Sequence, residues 1–234
     1  MTKNGTFMQE NTMRIRILKN GPYLVTGGVP LLEMEIISDD RGTATQYRAT
    51  KCYPLQQTYT LCRCGGSGNM PYCDGEHARN AFNGAEKASR EPFSAQAKVY
   101  KGPGLVLHDV ENLCMLARFC HIGGNTWDLI DRSGEPEARE LAIRGACNCP
   151  AGRLVVCDAK TGEAIEEQYE PSIVILRDVA SETSGPLWVR GGIPIESADG
   201  AVYEVRNRVT LCRCGRSRNM PFCDATHMYY GFQD

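Results

Sequence analysis

Short hydrophobic runs separated by glycine and proline dominate both ends of the chain. The runs Met13 to Leu18 and Tyr203 to Leu211 alternate apolar and polar residues, whereas Ile173 to Leu176 is wholly aliphatic. Runs of this length, bounded by turn residues, are typical of strands. We therefore predict a small antiparallel sheet near each end of the chain, without long helices.

The middle of the chain shows a helical period instead. Four residues fall on one face at a 3.6-residue spacing: Val110, Leu113, Cys114 and Ala117. This predicts a helix that Asp109 caps and that ends near Gly123, with Cys114 in the core. A second helix is predicted from Pro136 to Arg144, with Gly145 as its stop. Runs at 154–158 and 163–168 flank a turn and predict a hairpin.

An internal repeat links the two ends. The segment GPYLVTGGVP at 21–30 returns as GPLWVRGGIP at 185–194. The first copy carries 14 extra residues, including Cys52, between this segment and its next cysteine-rich stretch. Two copies of one small domain are therefore predicted, and the glycine-rich segment is expected to form a turn and a strand.

Both copies also carry the same metal-ligand side chains at the same spacing, 150 residues apart. The first set is Cys62, Cys64, Cys73 and His77, and the second is Cys212, Cys214, Cys223 and His227. Thiolate and imidazole bind soft or borderline metals, so each set supplies four ligands within 16 residues. Each copy is predicted to close one site by itself.

The surrounding residues read CRCGGSGNMPYCDGEH and CRCGRSRNMPFCDATH. Both stretches resemble the pattern of the CDGSH iron-sulfur domain family, the mitoNEET-like proteins, in which three Cys and one His hold a [2Fe-2S] cluster. The resemblance implies two [2Fe-2S] clusters per chain, held by the eight residues above.

Two positions depart from the pattern. Glu76 adds a carboxylate beside His77, and Ala225 replaces a glycine, which costs strain if φ there is positive.

The ligand set has consequences of its own. Cys62 and Cys64 should share one iron and leave Cys73 and His77 for the other. A neutral imidazole in place of a thiolate raises the reduction potential, and its free pKa of about 6.5 predicts acid-labile binding. Four neighbouring residues are expected to assist, Asp74 and Asp224 as loop caps and Arg63 and Arg213 as cations that offset cluster charge.

The cysteines allow two other interpretations, structural zinc and disulfides. A Cys3His set can hold structural zinc, but C-x-C followed by C-x3-H is not a usual zinc-finger spacing. Twelve cysteines could also pair as disulfides, yet the chain is long for a disulfide-stapled domain. The spacing and the resemblance favour iron-sulfur clusters.

A further cysteine group lies in the middle of the chain. It comprises Cys114, Cys120, Cys147 and Cys149, with His121 adjacent. The C-x2-C-x2-C run of ferredoxins is absent, so the spacing favours structural cysteines over a third cluster. The segment nevertheless resembles the divergent single-cluster ferredoxin-like segment that accompanies CDGSH motifs in some bacterial proteins, which keeps a third cluster as the alternative.

The predicted fold is α+β and β-rich. We divide it into a tail at 1–13, a first CDGSH-type domain at 14–86, a middle α+β domain at 95–172 and a second CDGSH-type domain at 173–234. Single-motif members of the family form intertwined homodimers, so the resemblance implies that the two lobes pair about a pseudo-twofold axis. The chain would then be a monomer with an internal pseudo-dimer, or a homodimer.

Composition, charge and missing motifs exclude several classes of function. A net charge of −2 supplies no basic field for nucleic acid, and no apolar run has the length of a signal peptide or membrane span. We expect a cytoplasmic protein without membrane contact. Phosphate loops, nucleophile elbows and HExxH helices are lacking, so we expect no catalytic residues and no enzyme activity.

The predicted function is therefore electron transfer or cluster transfer to a redox partner or a cluster-acceptor protein. Two alternatives use the same residues. The chain could be an electron-wiring subunit of a reductase complex, with catalysis in another protein, or a structural zinc module that mediates protein contacts.

Overall fold

The computed structural model describes residues 12–234, so the predicted tail at 1–13 lies outside the described residues except for its last two positions. The fold is β-rich and α+β. Its strands are β1 Arg14–Ile17, β2 Tyr23–Thr26, β3 Leu31–Ser38, β4 Ala44–Cys52, β5 Thr58–Leu61, β6 Lys98–Lys101, β7 Leu105–Asp109, β8 Leu154–Asp158, β9 Ala164–Ile165, β10 Ser172–Asp178, β11 Thr183–Arg190, β12 Ile195–Glu196 and β13 Arg208–Leu211. Its α-helices are α1 Glu76–Arg79, α2 Phe93–Gln96, α3 Thr126–Asp131, α4 Pro136–Cys147 and α5 Thr226–Tyr229.

Two sheets are built from the repeated segments at 14–86 and 173–234, here called the first and second copy. Their strand orders are β12-β1-β2-β5 and β13-β11-β10-β3-β4. In each copy the first strand forms a hairpin with the second, which then pairs with the strand before the cysteines. The predicted runs at 13–18 and 173–176 are strands β1 and β10, but the run at 203–211 is a strand only from Arg208.

Each sheet also contains strands from the other copy, β12 in the sheet of the first copy and β3 with β4 in the sheet of the second. β3 pairs in parallel with β10, with Leu31 opposite Ile173, and β12 pairs in parallel with β1, with Ile195 opposite Ile15. The first hydrogen bonds match as well, because Ile173 N donates to Pro30 O and Ile15 N donates to Pro194 O, both at 2.9 Å. The predicted antiparallel sheets are therefore wrong in part, since the exchanged strands make both sheets mixed.

The exchange places residues of both copies in one hydrophobic core. Ile15, Tyr23 and Val25 of the first copy pack in the same cluster as Ile173 and Leu187 of the second. The Tyr23 hydroxyl donates to Cys212 O at 2.7 Å, so it ties the first copy to the metal loop of the second. Neither copy encloses this apolar surface alone.

The extra residues of the first copy lengthen β3 and form β4 at the edge of the larger sheet. Most of β4 is exposed, as is Cys52 at its end. Ala44 and Tyr47 are inward contacts of this strand, and the Tyr47 ring stacks on Trp188 at 4.8 Å between centroids. Trp188 is buried.

The middle segment, residues 95–172, has its own sheet of order β6-β7-β8-β9, against which α3 and α4 pack. The predicted hairpin is confirmed as β8 and β9. The second predicted helix is α4, which begins at Pro136 as expected but continues through Gly145 to Cys147. Glycine is needed there because a Cβ at Gly145 would lie 2.6 Å from Thr126 Oγ1 on α3.

The helix predicted after Asp109 is wrong. Asp109 ends strand β7, and only two short 3-10 turns follow, at Glu111–Leu113 and Phe119–His121. Leu116 and Arg118 have φ values of 62° and 67°, which an α-helix cannot contain. The predicted apolar face instead lies on an irregular loop.

The Asp109 carboxylate accepts hydrogen bonds from Arg153 Nε at 2.6 Å and Trp127 Nε1 at 3.2 Å, so it ties the end of β7 to α3 and to the residue before β8 rather than capping a helix. Cys114, predicted in the core, is only partly buried. Across residues 12–234, no helix combines the length and the apolar character that crossing a membrane requires.

The two copies also touch directly at their metal loops, where Cys64 and Cys214 form an antiparallel bridge. A Cβ at Gly215 would lie 2.3 Å from Cys64 O, and a Cβ at Gly65 would lie 2.5 Å from Cys214 O. Glycine at both positions is what permits this approach of backbone to backbone.

We expect Gly215→Ala to destabilise the protein by on the order of 3 kcal/mol, because the new methyl group meets backbone that cannot move freely. The matched control is Gly200→Ala. Gly200 has a φ of +90° and no atom within 4 Å of its Cβ position, so this change should cost only about 1 kcal/mol of backbone strain. Thermal unfolding followed by circular dichroism compares the two, and equal losses would contradict the close contact.

Candidate metal centres

Each metal loop follows a strand and ends in a short helix. The loop from β5 leads to α1, and the loop from β13 leads to α5. Both loops fold back on their own strand, because Cys62 N donates to Pro71 O at 2.9 Å and Cys212 N donates to Pro221 O at 2.8 Å. This return brings the third cysteine and the histidine of each copy beside the first two cysteines.

Within each loop the four predicted ligands lie as two close pairs. Cys62 Sγ and Cys64 Sγ are 3.7 Å apart, and Cys73 Sγ lies 3.3 Å from His77 Nδ1. In the second loop, Cys212 Sγ and Cys214 Sγ are 3.6 Å apart, and Cys223 Sγ lies 3.3 Å from His227 Nδ1.

These distances suit shared metal ions. Two sulfurs held tetrahedrally at about 2.3 Å from one metal lie about 3.8 Å apart, and a sulfur and a nitrogen lie about 3.5 Å apart. Each pair therefore has the spacing of two ligands on one ion. In the described part of the chain, no group of three or more His, Cys, Asp or Glu side chains surrounds a single metal-ion position.

The two sites differ in burial. In the second set, Cys212, Cys214, Cys223 and His227 are 1%, 7%, 2% and 2% exposed. In the first set only Cys62 is buried, and the other three side chains are partly exposed. The middle segment contributes to the difference, because Met115 and Ala117 share a hydrophobic cluster with Cys223, and Asn219 Nδ2 donates to Asn112 O at 2.9 Å.

Burial sets the protonation of the ligands. It raises the pKa of the Cys62 thiol to about 11 and that of Cys223 well above its usual value. It also lowers the pKa of His227 to about 4, with Arg213 adding to the effect. At neutral pH the imidazole of His227 is therefore neutral and able to ligate, whereas the thiols of Cys62 and Cys223 keep their protons unless a metal replaces them. None of the twelve cysteines, all of which lie in the described part, forms a disulfide.

The predicted caps hold each loop together. Asp74 accepts hydrogen bonds from Gly68 N at 2.8 Å and Glu76 N at 3.0 Å. Asp224 does the same with Arg218 N at 2.9 Å and Thr226 N at 3.1 Å. Each carboxylate thus joins the middle of its loop to the start of the helix that carries the histidine. The backbone hydrogen bonds, first that from Glu76, lower the pKa of Asp74.

Arg63 and Arg213 have a second role that the sequence did not indicate. Both side chains are buried. Arg63 Nε donates to Gly21 O and Arg213 Nε donates to Gly185 O, both at 2.7 Å. Each arginine therefore ties its metal loop to the repeated glycine-proline segment of the same copy.

The same guanidinium groups lie over the rings of Phe82 and Phe232, at 5.2 Å and 5.4 Å from the ring centres. Each phenylalanine stands five residues after the ligand histidine of its copy, which was the available sequence signal for this contact. The extra carboxylate of Glu76 is engaged elsewhere, because it accepts a hydrogen bond from Arg79 Nε at 2.6 Å.

The structure brings together three of the four middle cysteines. Cys114, Cys120 and Cys149 line one cavity. Cys147, on the last residue of α4, instead donates through Sγ to Ile165 O at 3.3 Å.

The glycine replaced in the second motif does occupy a left-handed position. Ala225 has a φ of 67°, and Gly75, its counterpart, has a φ of 90°. We expect Ala225→Gly to stabilise the loaded protein by about 1 kcal/mol, since it removes left-handed strain from a residue with a Cβ. Gly75→Ala is the reverse change at the equivalent position of the first motif and serves as the control. It should destabilise by a similar amount, because no atom lies within 4 Å of the Cβ position and the change adds only left-handed backbone strain. Thermal midpoints measure both changes, and a lower midpoint for Ala225→Gly would show that its methyl group contributes more by packing.

Comparison with known families agrees with this arrangement. The family model described as iron-binding zinc finger, CDGSH type, matches residues 20–78 and 184–228, which contain all eight candidate ligands. The family model described as divergent 4Fe-4S mono-cluster matches residues 100–159. The chain matches no curated protein and no solved structure. The chain thus carries two regions of the CDGSH iron-binding family, one on each side of a divergent 4Fe-4S mono-cluster region.

Proposed function

We propose that the chain binds two [2Fe-2S] clusters and acts in electron transfer or cluster transfer. The observation that carries the proposal is the pairing of ligands within each loop. A [2Fe-2S] cluster takes two protein ligands on each of two irons, whereas a single zinc takes four ligands on one ion. The two close pairs in each loop fit the first arrangement. Each cluster, when bound, would supply a one-electron redox centre.

Some residues of the chain would bind the metal, and others would position those ligands or adjust the local charge. The six cysteines would hold the irons as thiolates, and His77 and His227 would ligate through their imidazole rings. Asp74 and Asp224 keep each histidine helix at the correct distance from the cysteines. Arg63 and Arg213 lock each loop to its sheet and place a positive charge near the anionic thiolates.

The difference in burial assigns different tasks to the two sites. Ligand exchange with an acceptor protein needs access to the metal, so the partly exposed Cys64, Cys73 and His77 suit cluster delivery or contact with a redox partner. The enclosed second site suits a retained cluster that only changes its oxidation state. No residue of the chain is assigned a catalytic role, and we infer a carrier rather than an enzyme.

We further propose that the two copies form a pseudo-twofold pair of lobes within one chain, so that a second chain is not required to complete either site. The matched strand exchange and the matched contacts of Gly65 and Gly215 support this. Twelve unpaired cysteines suit the reducing cytoplasm as the place of action.

The test of function compares the anaerobically purified protein with the double variant Cys62→Ala and Cys212→Ala, one equivalent ligand removed from each site. The double variant should contain about four iron and four sulfide fewer per chain, and should lose the visible absorption of a [2Fe-2S] protein. Zinc in place of iron in the unaltered protein would overturn the proposal and favour a structural module.

Replacing the histidine ligand should lower the potential of its own site. For His77→Cys and for His227→Cys we expect a drop on the order of 200 mV, because a thiolate adds negative charge to the cluster. Potentiometric titration monitored by visible absorption measures it. His121→Cys is the control, since His121 is not among the proposed ligands, and an equal shift there would argue against histidine ligation.

The partly exposed first site should lose its iron before the buried second site. Release to an external ferrous-iron chelator is expected to occur in two phases, the faster from the site of Cys64, Cys73 and His77. Cys62→Ala should remove the fast phase and Cys212→Ala the slow one. If Cys212→Ala removed the fast phase, burial would not govern access.

A further inference from the structure

The two metal loops differ in the side chains that they expose. Four of the positions that differ are exposed in both copies. Written as first-copy and second-copy residue, they are Gly66 and Arg216, Gly68 and Arg218, Arg79 and Tyr229, and Asn80 and Tyr230. The two tyrosines are 78% and 63% exposed. The second loop therefore presents two arginines and two tyrosines to the solvent, here called the basic-aromatic surface.

A cleft opens between the two loops at one edge of this surface. Its lining includes Cys64, Gly66 and Asn80 of the first copy and Cys214, Arg216 and Tyr230 of the second. No Asp or Glu lines it. Because Cys64 and Cys214 are candidate ligands of different sites, a molecule in this cleft would lie beside both metal centres.

The positive charges of the basic-aromatic surface are poorly neutralised by the chain itself. Arg216 forms no ion pair with any described residue, and its guanidinium lies over the Tyr230 ring, 4.5 Å from the centroid. The side chain of Arg218 is 88% exposed, and its ion pair is long, at 3.7 Å. In the first loop, by contrast, Arg79 pairs with Glu76 at 2.6 Å. The second loop therefore keeps charge available for the carboxylates of another molecule.

The chemistry of this surface indicates a protein as the occupant. Tyrosine and arginine are among the residues that most often carry the binding energy of protein interfaces. A nucleic acid would require a wider basic field, which a net charge of −2 does not supply. Complementary charge would also steer an acidic protein toward the cleft during diffusion.

We propose that the basic-aromatic surface and the adjoining cleft dock an acidic protein, and that this protein is the partner in the function proposed above. The proposal rests on that function. Cys64 is partly exposed, whereas Cys214 is 7% exposed, so the metal within reach of the docked partner is that of the first site. The second loop holds the partner, and the first site faces it across the cleft.

Binding to a probe of known charge tests the docking surface. The probe is a flavodoxin of strongly negative net charge, immobilised for surface plasmon resonance, and the full chain flows over it. Arg216→Ala should weaken binding about fivefold at low salt, because one unpaired charge is lost, and added salt should reduce the difference. Tyr230→Ala should weaken binding by about the same factor. The control is Arg41→Ala, which removes the same charge from an exposed residue in the turn between β3 and β4.

Equal affinity of the Arg216→Ala and Arg41→Ala variants would overturn the proposal. Displacement of flavodoxin by inorganic phosphate far better than by chloride at the same ionic strength would also overturn it, because the cleft would then be a site for small anions.

A second measurement locates the docked partner at the first site. Bound flavodoxin should slow the fast phase of iron release to the chelator in proportion to the unbound fraction, about fivefold at a concentration of four times the Kd. Arg216→Ala should need about five times more flavodoxin for the same effect, although Arg216 belongs to the second loop. Slowing of the slow phase alone would overturn this placement.

The binding measurement does not depend on metal content, so the two proposals can fail separately. A chain that lacks iron but still binds flavodoxin through Arg216 would count against the function proposed above. A chain that contains iron but binds flavodoxin without regard to Arg216 would count against the docking surface.

Discussion

The exchange of strands between the two copies is the interaction on which the rest of the structure depends. β3 and β4 complete the sheet of the second copy, and β12 completes that of the first. Burial of apolar surface drives such pairing, and here the surface becomes buried only when both copies contribute to a single core. The two copies could be taken for independent domains, but each needs the other to bury its apolar surface. They therefore form one folding unit.

This shared core determines where the metal loops lie. Each loop starts at a strand of the core, so bringing the strands together also brings Cys64 and Cys214 into backbone contact. Tyr23 reaches across from one copy to the loop of the other. The middle segment then packs against the second loop. Two motifs of nearly identical sequence thus acquire different exposure, and with it different access to solvent and to partners.

The sequence predicted best those parts of the structure that depend on residues close together in the chain. The start of α4 at Pro136 and the hairpin of β8 and β9 depend on neighbouring residues, and both were predicted. The helix after Asp109 was wrong because an apolar period of 3.6 residues also arises when an irregular loop packs on a core. Its left-handed Leu116 and Arg118 are held by contacts with distant segments, which no local pattern records.

By itself, the sequence determined the repeat, the eight candidate ligands and the caps Asp74 and Asp224, because motif spacing and loop hydrogen bonds act over a few residues. Only the tertiary structure decided that the copies exchange strands, that the second site is buried, and that Cys149 rather than Cys147 faces Cys114 and Cys120. The physical reason is that burial and the convergence of side chains depend on segments that are distant in the chain. Their relative positions are set by the packing of the whole core.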